Sequence, residues 1–394
     1  MNEQLSRRSA LAIVLASLGA GLTGCERSQE IKIGLVTALS GHSAKSGEAL
    51  SRGLLLAIDE INSRGGLLGC KLSLVSRDDQ SDVGRGVIAA RELIYKENVA
   101  ALFGGLDTPV ARAIIPIVSA AKKPFIIPWA AGTAITRNGL KPNFVFRVSA
   151  VDEEVDQAMV DFAVAKYGAR RPGLILINNP WGQSNEKGLK AALASRAMPM
   201  AGVEHLEMSD VDLSRQLGRL RSAKADSLLL VAPVGPSAQV VRALDQMRWE
   251  VPVVSHWGPA GGRFQELAGA RASTVKFIQT YSFFGSQSPA QTRVFAALKA
   301  KYPDIRGPED VTPAVGVANA YDAMHLTALA IKAAGSLDGD AIRRGFGSIS
   351  EYDGLIKFYR HPFADGQHDA LGRTDYIWAE FRENRIMPVS TTES

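Results

Sequence analysis

Short apolar runs alternate with amphipathic stretches along most of the chain. This alternation predicts parallel strands that are covered by helices on both faces of a sheet. In the first part of the chain the predicted strands are 31–36, 72–76, 99–103 and 125–127, and the predicted helices are 47–62 and 82–95. The first of these helices places Leu50, Leu54 and Ile58 on one face, as packing against a sheet requires.

The same pattern starts again after residue 148. This second set is predicted to contain helices 152–166 and 186–195 and strands 174–177, 227–231 and 251–255, and a strand at 275–284 is predicted to lead away from it. Three later helices are predicted at 290–300, 315–334 and 338–347, and strand and turn signals fill 352–389. The repeat predicts an α/β fold of two doubly wound, Rossmann-like lobes, joined by a hinge, with a ligand cleft between them.

The late helices need a sheet to cover, and we expect them to return to the first one. Each lobe is then built from two parts of the chain. The predicted boundaries assign residues 30–147 and 281–348 to lobe 1, and residues 148–280 and 349–390 to lobe 2. The length of 394 residues agrees with two lobes, because it exceeds what one hydrophobic core usually sustains.

Residues 1–24 have the order of a secretory signal peptide, in which arginines precede an apolar run and small residues. The run, 10–22, is too short to span a bilayer comfortably. Leu22-Thr23-Gly24-Cys25 resembles the lipobox of bacterial lipoproteins, which implies that Cys25 is acylated and becomes the mature N-terminus. The alternative is an ordinary cleavage site beside a cysteine. Arg7-Arg8 also resembles a twin-arginine export signal, so the choice between that route and Sec stays open.

The composition is that of a globular protein, with 46% hydrophobic residues, 22% charged residues and a mean hydropathy of zero. The formal net charge is +5, but lysines and arginines are scattered among acids and form no basic face or arm. This distribution argues against nucleic acid as a partner. After the signal peptide is removed, we expect the protein to contact the membrane through the lipid anchor only.

Motifs of enzymes and cofactor sites are missing from the sequence. There is no phosphate-binding Gly-x-x-x-x-Gly-Lys loop, no Gly-x-Ser-x-Gly elbow and no His-Glu-x-x-His helix. His361, Asp365, His368 and Asp369 fall close together, but a proline and a turn interrupt them, and solvated hairpin residues are the favoured interpretation over a metal site. We therefore predict a protein that is not an enzyme and that uses neither a cofactor nor a metal.

Several runs, in order along nearly the whole chain, resemble one known family. They are residues 33–41, 57–66, 72–79, 104–108, 124–136, Trp181-Gly182 and 320–323. The family is that of the type I periplasmic solute-binding proteins of ABC importers, in its branched-chain amino acid (leucine/isoleucine/valine) group. The resemblance implies the type I periplasmic binding protein fold, whose two lobes close on a small solute and present it to ABC permease subunits.

The segment Leu106-Asp107-Thr108-Pro109 stands between a predicted strand and a predicted helix that begins near Pro109. A helix N-terminus with free N–H groups and a nearby hydroxyl suits a carboxylate. By resemblance, Thr108 lies where the family has a hydroxyl residue that binds the carboxylate of the ligand. The alternative is that Asp107 and Thr108 only cap the helix.

Three positions depart from the family pattern. Ala131, in the loop after the strand 125–127, stands where the family commonly has threonine. Ser46 falls where the branched-chain group can carry an aromatic residue, and Trp257 falls near the family's glutamate for the ligand ammonium group. A buried ammonium group would then lack its partner unless Asp107 or another carboxylate substitutes.

Trp129, Trp181 and Trp257 each follow a predicted strand, where the fold would point them into the cleft. Each alone is more often a packing residue, but three together indicate an apolar or aromatic-lined pocket. The predicted ligand is a carboxylate or amide with a bulky apolar body, in preference to a simple amino acid. The predicted ligand-binding residues are Ser46, Leu106, Asp107, Thr108, Trp129, Ala131, Trp181 and Trp257.

The predicted function is that of a periplasmic, lipid-anchored receptor that delivers a small ligand to an ABC permease. A sensory binding protein of the same fold and an envelope scaffold without a small ligand are the alternatives from other functional classes. An exported enzyme is the weakest alternative, because no catalytic motif supports it.

Overall fold

The computed structural model describes residues 30–285, 288–383 and 385–389. The predicted signal peptide and Cys25 lie outside these residues. The first sheet consists of β1 (Ile31–Thr37), β2 (Leu72–Asp78), β3 (Ala101–Gly104), β4 (Phe125–Ile127) and β5 (Val145–Arg147). All five strands are parallel, in the order β2-β1-β3-β4-β5. The strand order reverses beside β1, which is the topology of a doubly wound sheet.

The other strands are β6 (Gly173–Ile177), β7 (Gly202–Leu206), β8 (Leu228–Val231), β9 (Val253–Ser255), β10 (Val275–Gln279), β11 (Glu351–Asp353), β12 (Phe358–Arg360), β13 (Ile377–Arg382) and β14 (Arg385–Pro388). Seven of them form a second sheet in the order β14-β13-β10-β9-β8-β6-β7, in which only β13 runs antiparallel to its neighbours, β10 and β14. β11 and β12 form a separate antiparallel hairpin.

The helices are α1 (Ala44–Ser63), α2 (Val83–Tyr95), α3 (Thr108–Ala120), α4 (Thr133–Thr136), α5 (Asp152–Tyr167), α6 (Pro180–Ser195), α7 (Ser214–Ser222), α8 (Val234–Gln246), α9 (Phe264–Ala268), α10 (Pro289–Lys301), α11 (Ala314–Ala334) and α12 (Gly339–Gly347). Among the described residues, no helix is both long and apolar enough to cross a membrane. The central parallel strands β3, β4, β6 and β8 are wholly buried, as sheets with helices on both faces require. The prediction of a two-lobed α/β fold is confirmed.

The chain returns to the first sheet after it has built most of the second. α11 packs directly on α1, where a Cβ atom at Gly53 would lie 2.3 Å from the carbonyl oxygen of Val317. Only glycine allows the two backbones to approach so closely. The lobe around the first sheet therefore includes a late part of the chain.

The segment that follows α12 also contacts this lobe. Buried Asp322 of α11 accepts hydrogen bonds from the N–H groups of Leu355 (2.7 Å) and Ile356 (2.9 Å). Further along, Asp369 accepts from Nε of the fully buried Arg147 at 2.7 Å. The predicted lobe boundaries stay a prediction, and these contacts, with β13 in the second sheet, favour a crossing between Asp369 and Ile377 over one at residue 349.

Several predictions from the sequence differ from the structure. The helix predicted at 186–195 begins at Pro180, and the strand predicted at 275–284 ends at Gln279. β7, α7 and α8 are not among the predicted elements.

Asp369 is not a solvated hairpin residue, because it pairs with Arg147, and its side chain is only 15% exposed. Burial alone would raise the pKa of Asp369, but the charge and hydrogen bond of Arg147 outweigh burial and lower it.

Candidate functional site

A cavity of about 60 Å³ lies between the two lobes, at the carboxyl ends of the parallel strands. A cavity of this size can hold water molecules and is open to a small solute. Three loops of each lobe line it, and they follow β1, β3 and β4 on one side and β6, β8 and β9 on the other. All eight residues predicted from the sequence line this one cavity: Ser46, Leu106, Asp107, Thr108, Trp129, Ala131, Trp181 and Trp257. Their role in binding a ligand stays a prediction.

The loop between β3 and α3 turns sharply into the cavity. Gly104 has a φ of 138°, and a Cβ atom there would lie 2.0 Å from the carbonyl oxygen of Val36. Gly105 follows with a φ of 65°. Side chains are strained in this region of backbone space, so the two glycines allow the turn that brings Leu106 and Asp107 to the cavity.

Asp107 is the residue before α3, but its side chain makes no capping hydrogen bond. Its Oδ2 is buried and has no hydrogen-bond partner. Burial raises the pKa of the Asp107 carboxyl above its ordinary value, although Ser81 and the charge of His42 oppose the rise. Asp107 therefore lines the cavity with a carboxyl that is only partly satisfied, since Ser81 serves it but Oδ2 has no donor among the described residues, and capping does not account for it.

Thr108 is the first residue of α3 and is buried, with 3% of its surface exposed. Its Oγ1 accepts a hydrogen bond from the N–H of Gly132 at 3.3 Å, which fixes the hydroxyl beside the loop after β4. The first turn of a helix leaves N–H groups without partners inside the helix, and its dipole favours negative charge. The cavity thus has hydrogen-bond donors at Thr108 and a carboxylate acceptor at Asp107.

Two tryptophans meet across the cavity from opposite lobes. Trp129 follows β4 and Trp257 follows β9, and their ring centroids lie 5.5 Å apart at 41°. Trp129 is held by its carbonyl oxygen, which accepts from the Ser149 hydroxyl at 2.6 Å, and by Gly316 of α11, where a Cβ atom would lie 3.2 Å from its ring. The two rings form the apolar wall of the cavity.

Trp181 enters the cavity from the first turn of α6. Asn179 caps this helix, and its Oδ1 accepts from the N–H groups of Trp181 (2.8 Å) and Gly182 (3.1 Å). A Cβ atom at Gly182 would lie 1.7 Å from the carbonyl oxygen of Ile177, so glycine allows the helix to start directly after β6. This cap explains why α6 begins six residues before the predicted helix.

A buried network centred on Asp152 holds Trp181 and Trp257 in place. Asp152 Oδ1 accepts from Trp181 Nε1 at 3.1 Å and lies 3.1 Å from His256 Nε2. His256 Nδ1 accepts from the N–H of Trp257 at 2.8 Å, so the ring carries its proton on Nε2 and donates it to Asp152. The N–H of Asp152 also donates to the carbonyl oxygen of Ala131 at 2.8 Å, which ties the network to the other lobe.

Ser46 and Ala131 are at the cavity, but in roles that the family pattern does not suggest. Ser46 Oγ donates to the carbonyl oxygen of Gly261 at 3.0 Å, a hydrogen bond that crosses the cleft. Ala131 supplies a carbonyl oxygen to Asp152 and no side-chain donor. The glutamate that the family has near the position of Trp257 therefore has no equivalent there in this chain. Asp107 supplies the carboxylate among the residues that line the cavity.

Sequence reasoning missed part of the site. The lining residues not named in advance are His42, Ser43, Pro109, Ala130, Asn179, Pro233, Val234, Gly258 and Gly261. Most of these lining residues come shortly after a strand, and this position is the signal by which the sequence could have identified them. The place of Asp152 in the first turn of α5 suggests from sequence only an acid that offsets the helix dipole, whereas it is fully buried in the network with His256. In the described part of the chain, no group of three or more His, Cys, Asp or Glu side chains is arranged to hold a metal ion.

Comparisons with known proteins agree on one family. The family model described as periplasmic binding protein matches residues 30–383. Leu/Ile/Val-binding protein homolog 3 of Brucella melitensis is 24% identical over 312 residues, which are 79% of this chain and 81% of the relative.

Solved structures show the same fold. LivJ from Streptococcus pneumoniae, a branched-chain amino acid transporter substrate binding protein in complex with isoleucine, is 22% identical with a TM-score of 0.78 and covers 91% of this chain and 98% of its own. An ABC transporter solute binding protein from R. palustris, in complex with 4-hydroxybenzoate, is 19% identical with a TM-score of 0.77 and covers 92% and 96%.

Proposed function

The chain belongs to the periplasmic binding protein family, and we propose that it captures a small apolar amino acid between its lobes and delivers it to an ABC permease. The family and the fold are those of extracytoplasmic solute-binding proteins. The observation that carries the choice of ligand is the position of Asp107 beside Thr108 in one cavity with two tryptophans.

The polar end of the cavity fits a zwitterion. A ligand carboxylate at the N-terminus of α3 would accept from the Thr108 hydroxyl and from free N–H groups of the first turn. A ligand ammonium group would donate to the carboxyl of Asp107, a residue that lines the same cavity. Since the two residues are neighbours in the chain, the two ligand groups must also be close, as they are on the α-carbon of an amino acid.

The remaining wall fits an apolar side chain. Trp129 and Trp257 present ring surface to the cavity, and both are at least nine-tenths buried. Burying an aliphatic side chain of the size of valine or leucine contributes about 1.5–3 kcal/mol. The small cavity volume supports a single amino acid over a peptide.

Closure of the lobes follows from contacts that cross the cleft. These are the Ser46–Gly261 hydrogen bond, the Trp129–Trp257 ring contact and the hydrogen bond from the N–H of Thr133 to Ser184 Oγ at 3.2 Å. Such contacts form only when the lobes are together, so a ligand that touches both lobes shifts the protein toward the closed arrangement.

A carboxylate without an amino group is the second candidate ligand, because the R. palustris neighbour is in complex with 4-hydroxybenzoate and aromatic rings line the cavity here. Asp107 argues against it, since its carboxylate would repel a second negative charge beside Thr108. A cleft that keeps an open cavity also disfavours the scaffold alternative.

The proposal is tested by isothermal titration calorimetry with L-leucine and with 4-methylpentanoate, which is leucine without its amino group. We expect leucine to bind at least about tenfold more tightly, because only leucine supplies a charged donor to Asp107. Equal or tighter binding of 4-methylpentanoate would reject the amino acid and favour the simple carboxylate.

Lipid anchoring at Cys25 is a separate part of the proposal and is supported by the lipobox-like Leu22-Thr23-Gly24-Cys25. Metabolic labelling of a bacterial host with an alkyne fatty acid should label the wild-type protein and not the Cys25→Ala variant. Labelling of both proteins, or of neither, would contradict the anchor at Cys25.

A further inference from the structure

A second and larger cavity, of about 440 Å³, lies on the outer side of Thr108. Lobe 1 lines it with Thr108 and Arg112 of α3 and Thr133 of α4. Lobe 2 lines it with Ser184 and Lys187 of α6. Thr108 lines both cavities, so the outer cavity is adjacent to the proposed ligand site and, like it, is shaped by the closed arrangement of the lobes.

The charges that line the outer cavity do not balance. Its only acid, Glu153, forms an ion pair with Arg137, which also lines the cavity. The side chains of Arg112 and Lys187 are exposed and have no hydrogen bond or ion pair with any residue that the structure describes. Two positive charges, one from each lobe, therefore face the same space without a counter-charge.

Hydroxyl groups in the same cavity are arranged as donors. Thr133 Oγ1 accepts from the N–H of Glu153 at 3.1 Å, and Ser184 Oγ accepts from the N–H of Thr133 at 3.2 Å. A hydroxyl that already accepts a backbone N–H has its proton available to donate. Cations and available O–H donors together suit an anion with several oxygen atoms.

We propose that the outer cavity binds a small multivalent anion, such as phosphate or a dicarboxylate, which bridges Arg112 and Lys187 and favours the closed arrangement of the lobes. When the lobes approach, these two cations come to line one cavity and repel each other. An anion between them replaces that repulsion with two attractions, so it binds the closed form better than the open form. By linkage, the anion and the ligand of the inner cavity then raise each other's affinity.

The test is calorimetric titration of the wild-type protein with phosphate and with malonate at constant ionic strength, with chloride as the monovalent comparison and without any amino acid. We expect saturable binding of phosphate or malonate and none of chloride. The double variant R112Q/K187Q should lose at least about tenfold in affinity for the anion.

The matched control is R91Q/K332Q, which removes two exposed cations that lie outside the cavity and whose side chains have no partner among the described residues. This control should bind the anion as the wild-type protein does. Equal affinity in the two double variants, or no saturable binding of phosphate and malonate to the wild-type protein, would overturn the proposal. Because no amino acid is present, the result is independent of the function proposed for the inner cavity.

Discussion

Asp107 is the residue on which the proposed choice of ligand depends. Its carboxyl has a buried oxygen without a donor, and burial raises its pKa. An unsatisfied buried acceptor of this kind costs about 1–3 kcal/mol, which a ligand ammonium group would remove. We infer that the free protein keeps an incomplete site whose missing partner is supplied by the ligand.

The affinity for leucine should depend on pH through Asp107. An ammonium group beside the ionised carboxylate lowers its pKa, so binding releases a proton whenever Asp107 is protonated in the free protein. We therefore expect leucine affinity to fall as the pH falls through the raised pKa of Asp107. The affinity for 4-methylpentanoate should change in the opposite direction, because protonation removes a repelling charge.

Calorimetry at a series of pH values measures both trends, and Asp107→Asn is the control. This variant should lose about tenfold or more in leucine affinity and should lose the dependence that Asp107 causes. It retains Asp79, whose pKa burial raises to about 7, so a dependence that survives in the variant is assigned to that neighbour. A wild-type profile that the variant reproduces would contradict the role of Asp107.

At the same scale, sequence reasoning found the residues that follow strands and missed those whose partners are distant in the chain. Thr108, Trp129 and Trp257 were predictable because each follows an apolar run at the carboxyl edge of a sheet. Asp152 was not, because its partner His256 is 104 residues away and only the folded chain brings them together. A first-turn acid and a buried network acid look alike in a single sequence.

At the scale of elements, the start of α6 matters for the site, because the first turn of this helix places Trp181 at the cavity. Asn179 determines where the helix begins, and Gly182 allows it to start close to β6. Side-chain capping of this kind typically stabilises a helix by about 1 kcal/mol. The position of Trp181 therefore depends on a cap that lies at the edge of the site.

Asn179→Ala should lower both the stability of the protein, by about 1 kcal/mol, and its affinity for leucine, because the first turn of α6 loses its anchor. The matched control is Asp338→Ala, which removes a cap of the same kind from α12, where Asp338 Oδ1 accepts from the N–H of Ala341 at 2.8 Å. The control should lose similar stability and keep the leucine affinity. Chemical denaturation and calorimetry measure the two effects, and equal affinity losses in both variants would contradict the argument.

The order of most helices and strands was predictable, because apolar residues recur with one period in helices and with another in strands. The first sheet and its helices follow these periods closely. The start of α6 was not, since Pro180 and Trp181 do not continue the apolar pattern and the cap at Asn179 decides the boundary. β7 was also missed, because it is an edge strand with only Leu206 fully buried and so lacks an apolar run. Edge strands carry weaker patterns than central strands do.

At the scale of the whole molecule, the two lobes contact each other around the cavity through few direct hydrogen bonds. The bond from Ser46 Oγ to the carbonyl oxygen of Gly261 joins α1 of one lobe to the loop after β9 of the other. A single hydrogen bond of this type contributes about 0.5–1.5 kcal/mol. Because it spans the cleft, this contribution stabilises the closed arrangement and not the individual lobes.

Ser46→Ala should therefore lower leucine affinity about two- to tenfold, with little change in the unfolding midpoint of the free protein. Ser51→Ala is the control, since Ser51 lies on the same helix and donates to the carbonyl oxygen of Gly47 within that helix, at 3.0 Å. Calorimetry and thermal unfolding of both variants measure the difference. A loss of affinity in Ser51→Ala equal to that in Ser46→Ala would show that the bond across the cleft has no special role.

The most direct measurement of the central claim is a crystal structure of the protein with L-leucine. The account predicts that the leucine carboxylate contacts Thr108 at the start of α3, that its ammonium group lies within hydrogen-bond distance of the Asp107 carboxyl, and that its side chain packs against Trp129 and Trp257. Leucine bound outside this cavity, or bound in it with its ammonium group away from Asp107, would contradict the account.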